Sequence, residues 1–537
     1  MHSSTIIRLR WLRRLSQTLF LCLFFILLIK MSYSSRTLDL TVLDVTTAAP
    51  ANSFFKFDPF ISLSFLISAH AIYSGIACAL IIVAATILLG RFFCGWICPF
   101  GTLHHIVGRL RSLKKTPLET PSWGGGFYRL KNLKYYLLVF LLLIGAFSRL
   151  QPAVLDPLCL LSRSCIISVF PATGFFTNRI LYIGMDSGIP LLSASSDWLY
   201  NRLADWGWIG REFFSRAALP TGIIFIALLL ANIASPRFWC RSLCPLGALL
   251  ALVSRFSILR LRKDDAKCTK CAKCMLSCDG RALRGCADGR NLAECFLCLN
   301  CAAECPSNAL GFESLGVRDA AECAPDLTRH GLIVSIGSAL VTIPLLRGAR
   351  RIVNRSRLIR PPGAGPEDEF LTACIRCGSC TRICPTGAIH SSIAEAGVEG
   401  FWTPILVPRS GYCVYSCTLC GQVCPSQAIR RLSIEEKMGS DGMRPVKIGT
   451  AAVNRGRCIA WSKNMPCLAC EEVCPVSPKA IGIDEATVMR PGGEQVSLGR
   501  PIVDSRRCIG CGRCEYVCPV EGAAAIRVFS AGETRAG

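Results

Sequence analysis

Cys374-Ile-Arg-Cys377-Gly-Ser-Cys380-Thr-Arg-Ile-Cys384-Pro385 is the stretch whose reading decides the fold. Four thiols fall within eleven residues at spacing C-x2-C-x2-C-x3-C, and a proline closes the run. Three thiolates from one tight loop can hold three irons of a cubane, and the fourth iron takes the last cysteine of a partner run. The pattern returns at Cys508, Cys511, Cys514 and Cys518. Near-variants stand at Cys413, Cys417, Cys420, Cys424 and at Cys458, Cys467, Cys470, Cys474. An earlier pair stands at Cys268, Cys271, Cys274, Cys278 and at Cys295, Cys298, Cys301, Cys305. Six quartets account for 24 of the 34 cysteines.

Disulfide scaffolds are short and do not repeat one spacing. Zinc ribbons separate their knuckles by about 15–20 residues. The expected cofactors are therefore six [4Fe–4S] clusters, and the expected chemistry is electron transfer. By the partner rule, Cys268, Cys271 and Cys274 take Cys305, and Cys295, Cys298 and Cys301 take Cys278. Gly378, Gly421, Gly510 and Gly512 let backbone approach beside the cysteines. Arg376, Arg382, Arg506, Arg507 and Arg513 read either as compensation for cluster charge or as solvated surface. The Cys458-to-Cys467 gap is longer and holds Trp461, which predicts an excursion loop.

The chain has 537 residues, half of them apolar, and a formal charge of +24. Its mean hydropathy is nevertheless positive. Apolar spans flanked by basic residues reconcile these facts. Each oxidised cluster with four thiolates carries about −2, which nearby cations offset. No basic helix or aromatic stacking platform points to nucleic acid.

The predicted fold class is a multi-domain membrane protein, an α-helical transmembrane bundle joined to α+β ferredoxin-like [4Fe–4S] domains. Residues 1–263 form the membrane part, with spans at about 15–33, 60–90, 133–150 and 217–236. Residues 264–312 form a two-cluster domain. Residues 313–360 hold a fifth apolar run, about 331–346, and a basic linker. Residues 361–537 form a four-cluster domain whose folding energy comes largely from its clusters. The basic residues after the spans place the N-terminus, the 91–132 loop and the segment after 236 in the cytoplasm, and the 31–59 and 149–216 loops outside.

Arg91-Phe-Phe-Cys94-Gly-Trp-Ile-Cys98-Pro-Phe-Gly101 matches Arg237-Phe-Trp-Cys240-Arg-Ser-Leu-Cys244-Pro-Leu-Gly247, an internal repeat. Cys94, Cys98, Cys240 and Cys244 can bind a metal or cluster together, act as two redox dithiols, or pack at helix starts. Cys22, Cys78, Cys286 and Cys323 read as small buried hydrophobes. Cys159 and Cys165 share one outside loop, where a disulfide is an open alternative. His70, His104 and His105 do not form the facing pairs a membrane haem needs. Gly124-Gly125-Gly126 lacks the setting of a phosphate loop.

Residues 1–312 resemble the NapH-type membrane ferredoxins, through the spans, the paired C-x3-C-P motifs and the two-cluster end. Residues 313–530 resemble the NapG and MauM type, through Arg360-Pro-Pro-Gly-Ala364, Pro366-Glu367, Glu369-Phe-Leu371 and the Cys374 run. The resemblance implies a fusion acting as a quinol dehydrogenase component in the bacterial inner membrane. Its partners would be the lipid bilayer, the quinone/quinol pool and a separate terminal oxidoreductase or cytochrome. Thr328-Arg329-His330 before the fifth apolar run resembles a decayed twin-arginine signal, which implies a periplasmic C-terminal domain. Related C-x3-C-P proteins imply the alternative role, a redox assembly or maturation factor for a partner metalloenzyme.

Overall fold

The computed structural model describes residues 3–31, 52–112, 132–206, 208–209, 215–280, 282–284, 291–314, 327–349, 355–439, 444–489 and 495–535. Cys286, Cys323, the 124–126 glycines and most of the 31–59 loop lie outside these. The chain divides into two compact units. The first comprises residues 1–28, 51–162 and 220–345, and the second 29–50, 163–219 and 346–537.

In the first unit, helix Ser3–Lys30 begins well before the expected anchor at 15. Arg8, Arg10, Arg13 and Arg14 therefore lie on it, and Arg13 is buried. The stretch 60–90, expected as one span, is two helices, Pro59–Ala69 and Ile76–Leu89. Asp58 caps the first through bonds from the Phe60 and Ile61 amides. His70 ends that helix in the left-handed region at φ 50°. The chain then doubles back, with the Tyr73 ring 5.6 Å from Phe65. Hydropathy alone does not register this break, because both halves are apolar.

Leu133–Phe147 and Ala218–Ala234 fall where spans are expected. They hold 15 and 17 residues, fewer than the roughly 20 an upright span needs. Among the described residues, three helices are long and apolar enough to cross a membrane: Thr5–Lys30, Pro157–Met185 and Arg329–Ala349. The second lies in the segment that the charge pattern reads as a loop. Its Pro157 follows the N-cap Asp156, which accepts from the Leu158 and Cys159 amides, and a π turn at Cys165–Val169 lets it continue into Phe170–Met185. Cys159 and Cys165 are both buried on it, and no disulfide joins them. Cys22 is exposed, contrary to its expected burial.

The ferredoxin portions consist of small two-stranded antiparallel ladders and one-turn helices. In the first unit, β1 (Leu259–Lys263) pairs with β2 (Leu310–Ser314) and closes the 268–305 loops at their base. In the second unit, β3 (Ile389–Ser391) pairs with β4 (Pro404–Leu406). Strand β5 (Thr450–Val453) pairs with β8 (Ile526–Phe529), and β6 (Ile481–Met489) pairs with β7 (Gln495–Val503). Cysteines themselves form much of the second unit's core, with Ile359, Ala451, Ala460, Ile481 and Val528 packed between them. Those few aliphatic side chains bury little area, which leaves the quartets as the centre of the fold.

Candidate electron-transfer centres

Four of the six quartets curl in the same way. The third cysteine rides on a helix of four or five residues, as in Lys273–Leu276, Asn300–Ala303, Ser379–Ile383 and Arg513–Val517. The residue before each of those four takes a left-handed conformation: Ala272, Leu299, Gly378 and Gly512. That kink aims the next amide at the second cysteine of the run, Lys273 N–H at Cys271, Asn300 at Cys298, Ser379 at Cys377 and Arg513 at Cys511, and amides from elsewhere in the chain reach other sulfurs. Ala451 N–H donates to Cys508 Sγ, and Ala525 N–H to Cys518 Sγ, both at 3.3 Å. Ala309 N–H reaches Cys305 Sγ at 3.3 Å, and Ile429 N–H reaches Cys424 Sγ at 3.5 Å.

The grouping is crossed between runs. Cys374, Cys377, Cys380 and Cys424 line one cavity. Cys508, Cys511, Cys514 and Cys474 line a second, and Cys458, Cys467, Cys470 and Cys518 a third. Cys413, Cys417 and Cys420 lie with Cys384. In the first unit, Cys274 lies with Cys268 and Cys305, and Cys301 lies with Cys295, Cys298 and Cys278. Cys271 stands in the same loop as Cys268 and Cys274. Burial pushes the Cys377 and Cys470 thiols up to about 12 and Cys417 to about 11. Such thiols ionise only when a cation takes the place of the lost solvent. Among the described residues, no three His, Cys, Asp or Glu side chains stand close enough to hold a single metal ion. Converging thiols and inward amides fit a cubane.

The four sets of the second unit follow one another as neighbours, since Cys380 lies within electrostatic range of Cys420, Cys413 of Cys511, and Cys514 of Cys470. The first pair shares the 374 and 413 runs, and the last pair shares the 458 and 508 runs. Cys413 N–H donates to Cys511 O at 2.8 Å and joins the two pairs. Gly421 and Gly510 permit the close approach of backbone, since a Cβ there would stand 2.4 Å from Arg430 O and 2.5 Å from Gly449 N. Those neighbours are protein backbone, so the glycines serve chain packing as well as the cysteine loops.

The cations divide. Arg376 is buried and donates to Glu399 O at 2.7 Å. Arg382 is half-buried against Phe170, and desolvation lowers its pKa to about 10. Arg506 and Arg507 are exposed, so the solvated-surface reading holds for them. Arg513 lies 5.2 Å over Tyr412. Lys437, which sequence reasoning passed over, is buried and donates to Cys413 Sγ at 3.3 Å. Burial opposes its charge, but the Cys413 and Cys417 sulfurs outweigh burial and raise its pKa. Its only sequence signal is the Ser433–Glu436 capping box that starts its helix. The RPPGA stretch is structural. Arg360 makes a two-bond contact with Glu367, at 3.1 and 2.5 Å, and lies 4.7 Å over Phe370.

Within the second unit, the segment after Ser162 packs on the Cys374 loop. The Arg163 guanidinium lies 3.8 Å over the Trp402 ring and donates to Arg376 O at 3.4 Å. Ile166 stands against Gly378, and Arg216 pairs with Glu395 at 3.7 Å.

In the first unit, the repeat is duplicated down to its bonds. Cys98 N–H donates to Phe93 O and Cys244 N–H to Trp239 O, each at 2.9 Å. Gly101 N–H donates to Cys98 Sγ at 3.4 Å, and Gly247 N–H to Cys244 Sγ at 3.2 Å. All four thiols are buried and lie within electrostatic range of one another. Sequence reasoning missed what surrounds them. Arg91 and Arg237 lie 4.7 and 4.8 Å from the Phe296 ring, between Cys295 and Cys298. Gly95 is required there, because a Cβ would stand 2.0 Å from Phe296 O. Glu294 accepts from Arg91 at 2.6 Å, from Tyr135 at 2.5 Å and from Lys134. Burial alone would raise the Glu294 pKa, but Lys134 and Arg91 outweigh it and hold it at about 2. His104 is bonded to Asn232, and His105 lies 3.5 Å from Asp279.

Two families of known proteins match the chain. The 4Fe-4S binding domain matches residues 71–117 and 217–263, the two C-x3-C-P repeats. The 4Fe-4S dicluster domain matches residues 373–428 and 463–522. No solved structure matches. The putative electron transport protein YccM of Escherichia coli is 28% identical over 240 residues, 44% of this chain and 55% of its own. The ferredoxin-type protein NapG of Escherichia coli is 33% identical over 165 residues, 30% of this chain and 67% of its own. The methylamine utilization ferredoxin-type protein MauM of Methylorubrum extorquens is 38% identical over 178 residues, 32% of this chain and 73% of its own. With that coverage, and with quartets that fit the cofactor these families bind, the chain belongs to the MauM and NapG family of ferredoxin-type iron–sulfur electron-transfer proteins.

Proposed function

We propose that the protein takes electrons from quinol in the bacterial inner membrane and passes them to a separate periplasmic oxidoreductase. Residues 1–312 act as the NapH-type membrane partner fused to the NapG/MauM-type part. When bound, six [4Fe–4S] clusters supply one-electron storage at the six quartets. The observation that carries this reading is the line of four quartets in the second unit, with the Arg163–Ile166 segment packed on one end. A line of redox sites has an entry and an exit, as transfer between partners requires.

The compactness of the second unit supports a periplasmic C-terminal domain. Helix Pro157–Met185 is mostly buried inside the protein, unlike Thr5–Lys30 and Arg329–Ala349, so we read it as packed within the domain and not across the bilayer. Residues 163–219 and 346–537, which belong to one unit, then share one side, and the charge rule puts the 149–216 segment outside. Cys94, Cys98, Cys240 and Cys244 form the redox site within the membrane part, where two thiol pairs and their N–H···S bonds repeat the features of the quartets. Arg91 and Arg237 supply positive charge beside them, and Phe296 ties them to the inner quartet loop.

The test is menaquinol-driven reduction of the reconstituted full chain, followed by the reduced-cluster paramagnetic signal. Signals from the second unit that disappear in Cys374→Ser support the reading. Reduction no faster than in that variant rejects it.

A further inference from the structure

The two ends of the line of quartets differ in cover. At the Cys374 end, Trp402 is buried under Arg163, and Ile166 fills the space beside Gly378. At the Cys458 end the predicted excursion loop is present and carries a one-turn helix, Ile459–Ser462. Cys467 follows Met465 and Pro466 and precedes Leu468. Met465 is 54% exposed and Leu468 41%. Leu468 and Ile483 both border Gly499, and Ile483 is 37% exposed. Large apolar side chains thus crowd the surface beside the last cysteine set.

The loop side of this patch is basic. From Asn454 to Leu468 the chain carries Arg455, Arg457 and Lys463 and no acid. Arg455 and Arg500 lie 4.3 and 4.9 Å from the Trp461 ring. Trp461 N–H donates to Pro501 O at 3.2 Å and Arg500 reaches Asn464 at 3.1 Å, which ties the loop to β7. Arg457 donates to Glu521 O and Ala523 O, beside the Cys518 run. The loop is therefore a braced surface. Acids border the β6 side instead: Glu471 and Glu472 follow Leu468, with Glu471 paired to Lys479 at 2.6 Å, and Asp484 and Glu485 follow Ile483, with Asp484 across the ladder from Arg500.

We propose that this loop is the electron-exit surface and that it docks an acidic-faced, one-electron carrier protein. Met465 and Leu468 form the dry centre, and Arg455, Lys463 and Arg500 steer the partner. An apolar centre with a charged rim is the usual anatomy of such a contact, and opposite charge raises encounter rates. The transfer moves one electron from the reduced quartet site to the partner, where a ferric haem becomes ferrous; no bond or proton changes hands. The proposal rests on the reading that electrons leave through the four quartets. It does not depend on quinol being their source.

The test uses full-length, cluster-loaded protein in detergent, reduced beforehand with dithionite that is then removed. Two probes are mixed with it, an acidic c-type cytochrome and a basic one. Binding is measured by titration, and haem reduction by stopped flow, at low and high salt. The loop variant is Lys463→Glu with Met465→Glu. Both side chains are exposed, and iron content with the reduced-state signal checks that the variant folds. The acidic probe is expected to bind and react about tenfold more slowly with the variant at low salt, and the gap should close at high salt. Equal rates for wild type and variant overturn the proposal, as does a wild type that prefers the basic probe. Failure of quinol to reduce the clusters, with these rates intact, removes only the quinol reading.

Discussion

The Cys413 amide donates to the Cys511 carbonyl across 2.8 Å, so two cysteine runs nearly a hundred residues apart share a backbone bond. That bond makes a continuous line from two pairs of crossed quartets. It also brings two strongly charged inorganic cores together once they are loaded. Buried Lys437 stands at that junction, where a cation offsets their charge.

The crossed grouping has a distinctive genetic signature. Cys384→Ser is expected to remove the same paramagnetic signal as Cys420→Ser, although they belong to different runs. Cys424→Ser is expected to remove the signal lost in Cys380→Ser. Each should lower iron by about four per chain. The reverse pairing of signals, read by EPR on reduced samples, would show that each run keeps its own fourth cysteine.

Iron removal should unfold residues 361–537. Their apolar core is built largely from cysteines and a few small side chains, and buried free thiols give little to replace a lost cluster. Anaerobic chelation followed by circular dichroism and limited proteolysis is the measurement. A cooperative melt in iron-free protein would contradict the expectation.

Glu294→Ala leaves Arg91 and Lys134 buried without their counter-charge. The expected cost is about 3–5 kcal/mol in the stability of the first unit. Glu294→Gln should recover only a small part, because it keeps the shape but not the charge. Thermal denaturation in detergent compares the three proteins. Similar midpoints for all three would mean that Glu294 is not the hub of this network.

Removing the Trp402 ring should loosen the cover over the Cys374 loop. Trp402→Leu loses the stacking of Arg163 and is expected to cost about 2 kcal/mol or more, as for a desolvated cation–π contact. Hydrogen exchange at residues 163–170 should rise with it. Unchanged protection there, with a normal Cys374 cluster signal, would argue against the contact.

Glu367 lies between Arg360 and Arg535, at 2.5 and 2.8 Å. Burial would raise its pKa, but the two arginines outweigh burial and lower it. A depressed carboxyl stabilises the fold at pH values above its unfolded pKa, near 4.3, and that stability fades as pH falls below it. Glu367→Gln should therefore be less stable than wild type at pH 7, and the gap should narrow toward pH 4. A gap that widens on acidification would reverse the assignment.

The sequence by itself determined the loops. Ligands two or three residues apart are brought together by covalent spacing, so the six quartets and both C-x3-C-P repeats are legible without a fold. The excursion between Cys458 and Cys467 is legible for the same reason. Hydropathy located most of the apolar helices, but it missed the break at His70 and the long helix from Pro157, because composition averages over a kink and mixed charge masks a buried face. Only the tertiary structure decided which distant groups meet. Phe296 between Arg91 and Arg237, Glu294 against Lys134, Lys437 on Cys413 and Arg163 over Trp402 join residues from 24 to more than 200 positions apart. No local pattern encodes such pairs. Packing selects them, because a buried charge is stable only where the fold delivers its partner.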